Sequence, residues 1–201
     1  MRLSVRGLMH KLVSSPAIYD FCQKMAGGYI TQPILEKEFA SLSNSGSVLD
    51  VGGGTGIIRP FVPNAWNYTC LDSDSRKIEG FHRKFPKDKA IKASATDIPA
   101  PDESYDLCIL SCVSHHLETS ELKSALNEIS RVLRKGGQLL FKDAIWNPRN
   151  IEGRLLWFFD RGSFPRPKSE LEGLLKKKFV IHKERSFKVI HEYIISWCVK
   201  R

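Results

Sequence analysis

Short apolar runs alternate with longer polar, helix-patterned stretches through the middle of this chain. Val48–Val51, Tyr68–Leu71, Ala90–Ala93, Tyr105–Leu110 and Gln138–Phe141 each read as a buried strand. The stretches between them carry apolar residues at helical spacing, and alternation of this kind predicts an α/β domain with a parallel sheet. Arg131-Val132-Leu133-Arg134-Lys135-Gly136-Gly137 supplies a basic last turn followed by glycines, which is a helix stop signal. Beyond the fifth strand the pattern predicts a helix over 169–177 and strands over 179–187 and 189–198. Ahead of the first strand, Val5, Leu8, Met9, Leu12 and Val13 fall at helical spacing. Ser15-Pro16 starts a helix over 17–25, which ends at Gly27-Gly28. Thr31-Gln32-Pro33 starts another that reaches Leu42.

The candidate chemistry sits where the predicted strands end. The first strand runs into Val48-Leu49-Asp50-Val51-Gly52-Gly53-Gly54-Thr55-Gly56. Open α/β sheets bind nucleosides at the carboxyl ends of their strands, and glycine lets the backbone approach a ligand closely. The spacing is G-x-G-x-G, not the G-x-G-x-x-G of pyrophosphate binders, and Arg59 is the one nearby cation in sequence. The second strand ends at Asp72, with Ser73 beside it. An acid there can accept both hydroxyls of a ribose. After the third strand comes Ser94-Ala95-Thr96-Asp97-Ile98-Pro99. There Asp97 can accept from an adenine amino group, with Thr96 next to it and Ile98 against the ring face.

These segments together resemble the class I S-adenosylmethionine-dependent methyltransferases. The small-molecule branch that includes ubiquinone and menaquinone biosynthesis enzymes is the most similar. VLDVGGGTG, the acid of CLD, ATDIPAPDESYDLCILSCVSHHL and EISRVLRKGGQLLFKD carry the resemblance across about half the chain, in the right order. It implies a Rossmann-like seven-stranded sheet of order 3-2-1-4-5-7-6, with the last strand antiparallel and helices on both faces. S-adenosyl-L-methionine would be the cofactor. Gly52, Gly53 and Gly54 would pass its amino-acid end, Asp72 and Ser73 would hold the ribose, and Thr96, Asp97 and Ile98 the adenine. Asp50 would orient the first loop and the cofactor's ammonium, for which the Ser111 carbonyl would be a further acceptor. The expected partition is a helical cap over 1–45, a cofactor core over 46–144, a substrate-side insertion over 145–168, and a C-terminal helix and strands over 169–201.

Composition alters this picture little. The 201 residues suit one domain, and 42% hydrophobic with 26% charged residues is ordinary for a soluble globule. Five cysteines, with no C-x-x-C pair, read as reduced core residues of a cytoplasmic protein. Cys112 and His115 lack the second pair a zinc site needs, so no metal is expected. The balance of 31 basic against 22 acidic residues gives +9. The basic residues are spread along the chain with no appended nucleic-acid module, which disfavours a nucleic-acid partner. Solubility alone is the leading reading of this charge; attraction to an anionic substrate or membrane surface stays open as the second, including peripheral contact through the basic N-terminal helix. Oligomeric state is not legible.

Methyl transfer requires an acceptor lone pair held in line with the methyl–sulfur bond and shielded from water. An acceptor with a proton to lose also needs a base, for which His115 and His116 are the leading residues. Tyr19 is a weaker catalytic candidate, as are His10 and Asp143. Trp146, Trp157, Phe158, Phe159 and Phe164 give the insertion an aromatic character suited to a flat or lipophilic acceptor. Three other readings share the pocket: a noncatalytic S-adenosylmethionine-binding subunit, an enzyme acting on lipid headgroups at a membrane surface, and an aminopropyl transferase. The basic, aromatic flanks oppose the last of these.

Overall fold

The computed structural model describes residues 29–159 and 164–201. Seven strands form one sheet: β1 (Gly46–Val51), β2 (Trp66–Asp72), β3 (Lys89–Lys92), β4 (Tyr105–Ser111), β5 (Leu133–Ile145), β6 (Phe179–Lys188) and β7 (Glu192–Lys200). Their spatial order is β3-β2-β1-β4-β5-β7-β6. The pairings from β3 to β5 are parallel, and β7 runs antiparallel to both of its neighbours. This is the expected sheet. The central strands are buried on both faces, which explains why they read as continuous apolar runs rather than alternating ones.

Helices cover both faces. They are α1 (Tyr29–Phe39), α2 (Ser75–Lys84), α3 (Thr119–Val132), α4 (Ile151–Phe159) and α5 (Lys168–Leu175). On one face Leu49, Val51, Leu110, Leu139 and Phe141 meet Leu122, Leu126 and Ile129 of α3. On the other, Val48, Leu107, Ile109 and Leu140 meet Phe39 of α1 and Phe81 of α2. In α3, Leu122, Ala125, Leu126, Ile129 and Val132 form one apolar stripe, and a capping box of Glu118 and Glu121 closes its N-terminus. Buried Glu38 anchors α1 to the sheet through Lys183 at 2.6 Å and the Trp197 indole at 2.9 Å.

Several boundaries differ from expectation. α1 starts earlier, at Tyr29, and stops at Phe39, short of Leu42. Helix α3 already ends at Val132, where Leu133 turns extended, so Gly136 and Gly137 lie inside β5. Between the pairs Tyr105–Leu133 and Leu107–Gln138 the β5 chain makes an irregular excursion, and Gly136 supplies the left-handed backbone for it at φ +72°. The helix expected over 17–25, the amphipathic N-terminal segment, Tyr19 and His10 lie outside the described residues.

Candidate active site

Parallel strands bring Val51, Asp72, Ser111 and Asp143 to one edge of the sheet, the carboxyl edge expected for a ligand. The glycine loop after β1 is pinned there because the N–H groups of Gly52 and Gly53 both donate to the Leu71 carbonyl, at 2.7 and 3.1 Å. Gly52 and Gly54 hold left-handed backbone, at φ +72° and +59°. A Cβ on Gly52 would stand 2.5 Å from Val113, so that position is closed by packing. A Cβ on Gly54 would approach nothing closer than Lys77 Cδ at 3.8 Å and Asp72 Oδ2 at 3.9 Å. The loop therefore leaves room for ligand atoms beside the Asp72 carboxylate, which suits a nucleoside cofactor.

Asp72 is buried and held in place. Its Oδ2 accepts from the Gly54 N–H at 3.1 Å and its Oδ1 from the Asp74 N–H at 2.9 Å, with Lys77 Nζ 3.6 Å away. A carboxylate has about four acceptor positions, so capacity for ribose hydroxyls remains. Ser73 is exposed next to it. Asp50 lies under the loop. Its carboxylate accepts from the Tyr68 hydroxyl, and Gly53 must lack a side chain because a Cβ would sit 2.6 Å from Asp50 Oδ2. Asp50 thus braces the loop from below. Burial, opposed by the Tyr68 hydrogen bond and reinforced by Asp72, raises its pKa to about 7.

The turn after β3 is closed by a bridge between Ser94 and Asp97. Asp97 is exposed and Thr96 half-buried, with the Ser94 and Thr96 hydroxyls 2.8 Å apart. Ile98 departs from expectation. It is 3% exposed, its side chain belongs to the core, and its N–H donates to Glu128 Oε2 at 2.9 Å. Such burial leaves almost no side-chain surface for an adenine ring, so Ile98 anchors the turn from within.

The loop after β4 separates the two histidines. Ser114–His116 form one 3-10 turn. His116 is exposed, whereas His115 is buried with Nδ1 2.5 Å from Asp143 Oδ1. Asp143, fully buried on β5, also accepts from the Ser114 hydroxyl at 2.5 Å and the Ala144 N–H at 2.7 Å. Burial pulls the Asp143 pKa upward, but His115 and these donors outweigh it and hold the carboxyl below its ordinary value. The His115 ring packs edge-on to Trp157 of α4, at 5.5 Å between centroids. Cys112, next to Ser111, takes left-handed backbone at φ +57°, which turns the chain sharply into this loop.

Arg166 is a support that sequence reasoning placed only within an aromatic insertion. Buried, it donates to the carbonyls of Ser114 and Leu117, each at 2.7 Å, and pairs with Glu170 at 3.2 Å. The Phe164 N–H adds a bond to the His115 carbonyl at 3.0 Å. No local pattern announces this staple, because its partners lie about fifty residues back along the chain.

A family model described as a methyltransferase domain matches residues 49–141. An uncharacterized methyltransferase of Mycobacterium sp. (strain JLS) is 31% identical over 101 residues, covering 50% of this chain and 39% of that protein. A mouse tRNA (carboxymethyluridine(34)-5-O)-methyltransferase is 33% identical over 105 residues, covering 51% of this chain and 15% of that one. The match to the mycobacterial protein thus spans about two fifths of its length. A Pyrococcus horikoshii protein structure superposes with a TM-score of 0.70 at 18% identity, covering 92% of each chain. A structure titled as a SAM-dependent methyltransferase of Methanosarcina mazei does so with a TM-score of 0.70 at 17% identity, covering 80% of this chain and 95% of that one. Over about half its length the chain is thus similar to methyltransferases, and its sheet order is that of the Rossmann-like methyltransferase fold.

Proposed function

We propose that this chain transfers the methyl group of S-adenosylmethionine to a small acceptor of aromatic or lipophilic character. The observation that carries the reading is one edge of the sheet holding both the Gly54–Asp72 cradle and the His115–Asp143 pair. When bound, the cofactor supplies a methyl group on a positive sulfur, which needs no further activation. Gly54 gives the nucleoside room and Asp72 accepts from its ribose hydroxyls. Asp97 and Thr96, at the exposed turn after β3, border the adenine. Gly52, Gly53 and the Ser111 carbonyl lie beside the amino-acid end, with Asp50 bracing the loop.

His115 is the base for an acceptor that must lose a proton. With Nδ1–H donating to Asp143, the proton-accepting nitrogen is Nε2. Asp143 fixes that tautomer and stabilises the imidazolium once it forms. Trp157 and the loop stapled by Arg166 shield the pair from water, which strengthens this electrostatic support. His116, exposed and tilted against His115 with ring centroids 4.1 Å apart, is the alternative if an acceptor approaches from solvent.

The test is transfer of labelled methyl to a panel of phenols, carboxylic acids, amines and transfer RNA. Transfer RNA belongs in the panel because of the mouse relative and the +9 charge. Turnover of a small acceptor that falls sharply in His115→Gln supports the reading. Cofactor binding with turnover of transfer RNA alone, or of nothing, contradicts it.

A further inference from the structure

Three cationic side chains among the described residues are buried: Arg59, Lys142 and Arg166. Arg59 pairs with Asp88 at 2.5 Å and Arg166 with Glu170 at 3.2 Å. Lys142, 7% exposed, has no carboxylate within ion-pair distance among the described residues. Its Nζ instead lies 3.1 Å from Cys112 Sγ and 4.9 Å from the centre of the Tyr193 ring. A buried ammonium has three donors to satisfy, and a thiol and a ring face satisfy them poorly. Cys112 does not become the missing anion. Burial pushes its thiol pKa up despite the pull of Lys142, so the group stays a neutral thiol near pH 7. Nor does Asp143 serve, because it faces the opposite side of β5 and is committed to His115, Ser114 and the Ala144 N–H.

The position of this lysine matters. Lys142 pairs with Ser111 in the last parallel register of β4 and β5, and its carbonyl accepts from the Cys112 N–H at 2.7 Å. It therefore sits at the carboxyl edge of the sheet, one residue before Asp143 and beside the loop that carries His115. Tyr193 reaches the same place from β7, where Ile195 is the partner of Lys142.

We propose that Lys142 recognises an anionic oxygen group, a carboxylate or phosphate, on the methyl acceptor. The inference rests on the methyltransferase reading and specifies the acceptor class. An anionic acceptor supplies the charge partner that the described residues do not, in a desolvated setting where such a pair is highly selective. The Tyr193 ring, stacked on Phe187 at 5.3 Å between centroids, holds the ammonium end in place.

The test compares benzoate, phenyl phosphate and neutral benzamide by calorimetric titration into protein saturated with S-adenosylhomocysteine. The expected result is an acid bound about tenfold or more tightly than benzamide. That preference collapses in Lys142→Met or Lys142→Gln and survives in Lys142→Arg. Preference for benzoate or for phenyl phosphate then assigns carboxylate or phosphate. Equal affinity for acid and amide, no binding of any of the three, or a preference that persists in Lys142→Met overturns the proposal. Failure of S-adenosylhomocysteine itself to bind counts against the methyltransferase reading instead. In that case the acid-to-amide comparison, run on the cofactor-free protein, still decides the role of Lys142.

Discussion

Asp143 Oδ1 and His115 Nδ1 lie 2.5 Å apart, joining the end of β5 to the loop after β4. The pair selects one histidine of two and gives it one orientation. A general base is worth about 100-fold or more in rate. His115→Gln is therefore expected to lower kcat by about that factor for a proton-bearing acceptor, with affinity for S-adenosylhomocysteine little changed. Steady-state kinetics with parallel calorimetry checks this, and an unchanged kcat assigns the role elsewhere.

Asp143→Asn is expected to lower kcat in the same direction and to destabilise the fold. The Asp143 pKa is lowered in the folded state. Its contribution is therefore fully present above the ordinary carboxylate pKa and is lost as pH falls through the lowered folded value. Thermal melts of wild type and variant should converge under acidic conditions and separate near neutral pH.

Asp50 has the opposite sign. Its pKa is raised from 3.8 to about 7, so the folded state binds its proton more tightly than the unfolded state does. The associated stability is complete below the ordinary value and is lost as pH rises through about 7. Asp50→Asn keeps an acceptor for Tyr68 and removes the ionisation. Relative to this variant, wild type should lose up to about 1.4 kcal/mol per pH unit across that window. Denaturant titrations at several pH values measure the difference, and parallel curves would refute it.

Gly54 and Gly52 should respond differently to a side chain. Gly54→Val fills the room beside Asp72 and should abolish cofactor binding, at a cost in stability of about 1–2 kcal/mol from the left-handed backbone. Gly52→Ala meets Val113 directly and should unsettle the fold itself. Asp72→Ala should cost roughly 1.5–3 kcal/mol in cofactor affinity through lost charged hydrogen bonds. Calorimetry beside circular dichroism separates these effects.

Arg166→Met leaves the Ser114 and Leu117 carbonyls without their donor. A loss of about 3 kcal/mol or more in stability is expected, with turnover falling further than cofactor affinity. Equal stability by denaturant melt would show that the staple is dispensable.

The sheet was legible because its central strands are continuous apolar runs that end at Asp50–Gly54 and Asp72, where burial and ligand chemistry leave local marks. What was not legible depends on contacts distant in sequence. Nothing near His115 distinguishes it from His116 until β5 brings Asp143 against it, and nothing near Arg166 points to Ser114. Ile98 looked like a ligand contact because it follows Asp97, yet α3 buries it from behind through Glu128 and the core. Gly136-Gly137 fitted a helix stop, but the excursion within β5 uses the same left-handed glycine. Periodicity reports which face is apolar, not which polar partners a distant segment supplies.

The most direct test is calorimetric titration of the protein with S-adenosylmethionine and S-adenosylhomocysteine, with NAD as control. The predicted result is micromolar binding of both sulfur nucleosides at one site, no binding of NAD, and loss of the nucleoside signal in folded Gly54→Val. Absence of binding by either sulfur nucleoside to the folded protein would contradict the account.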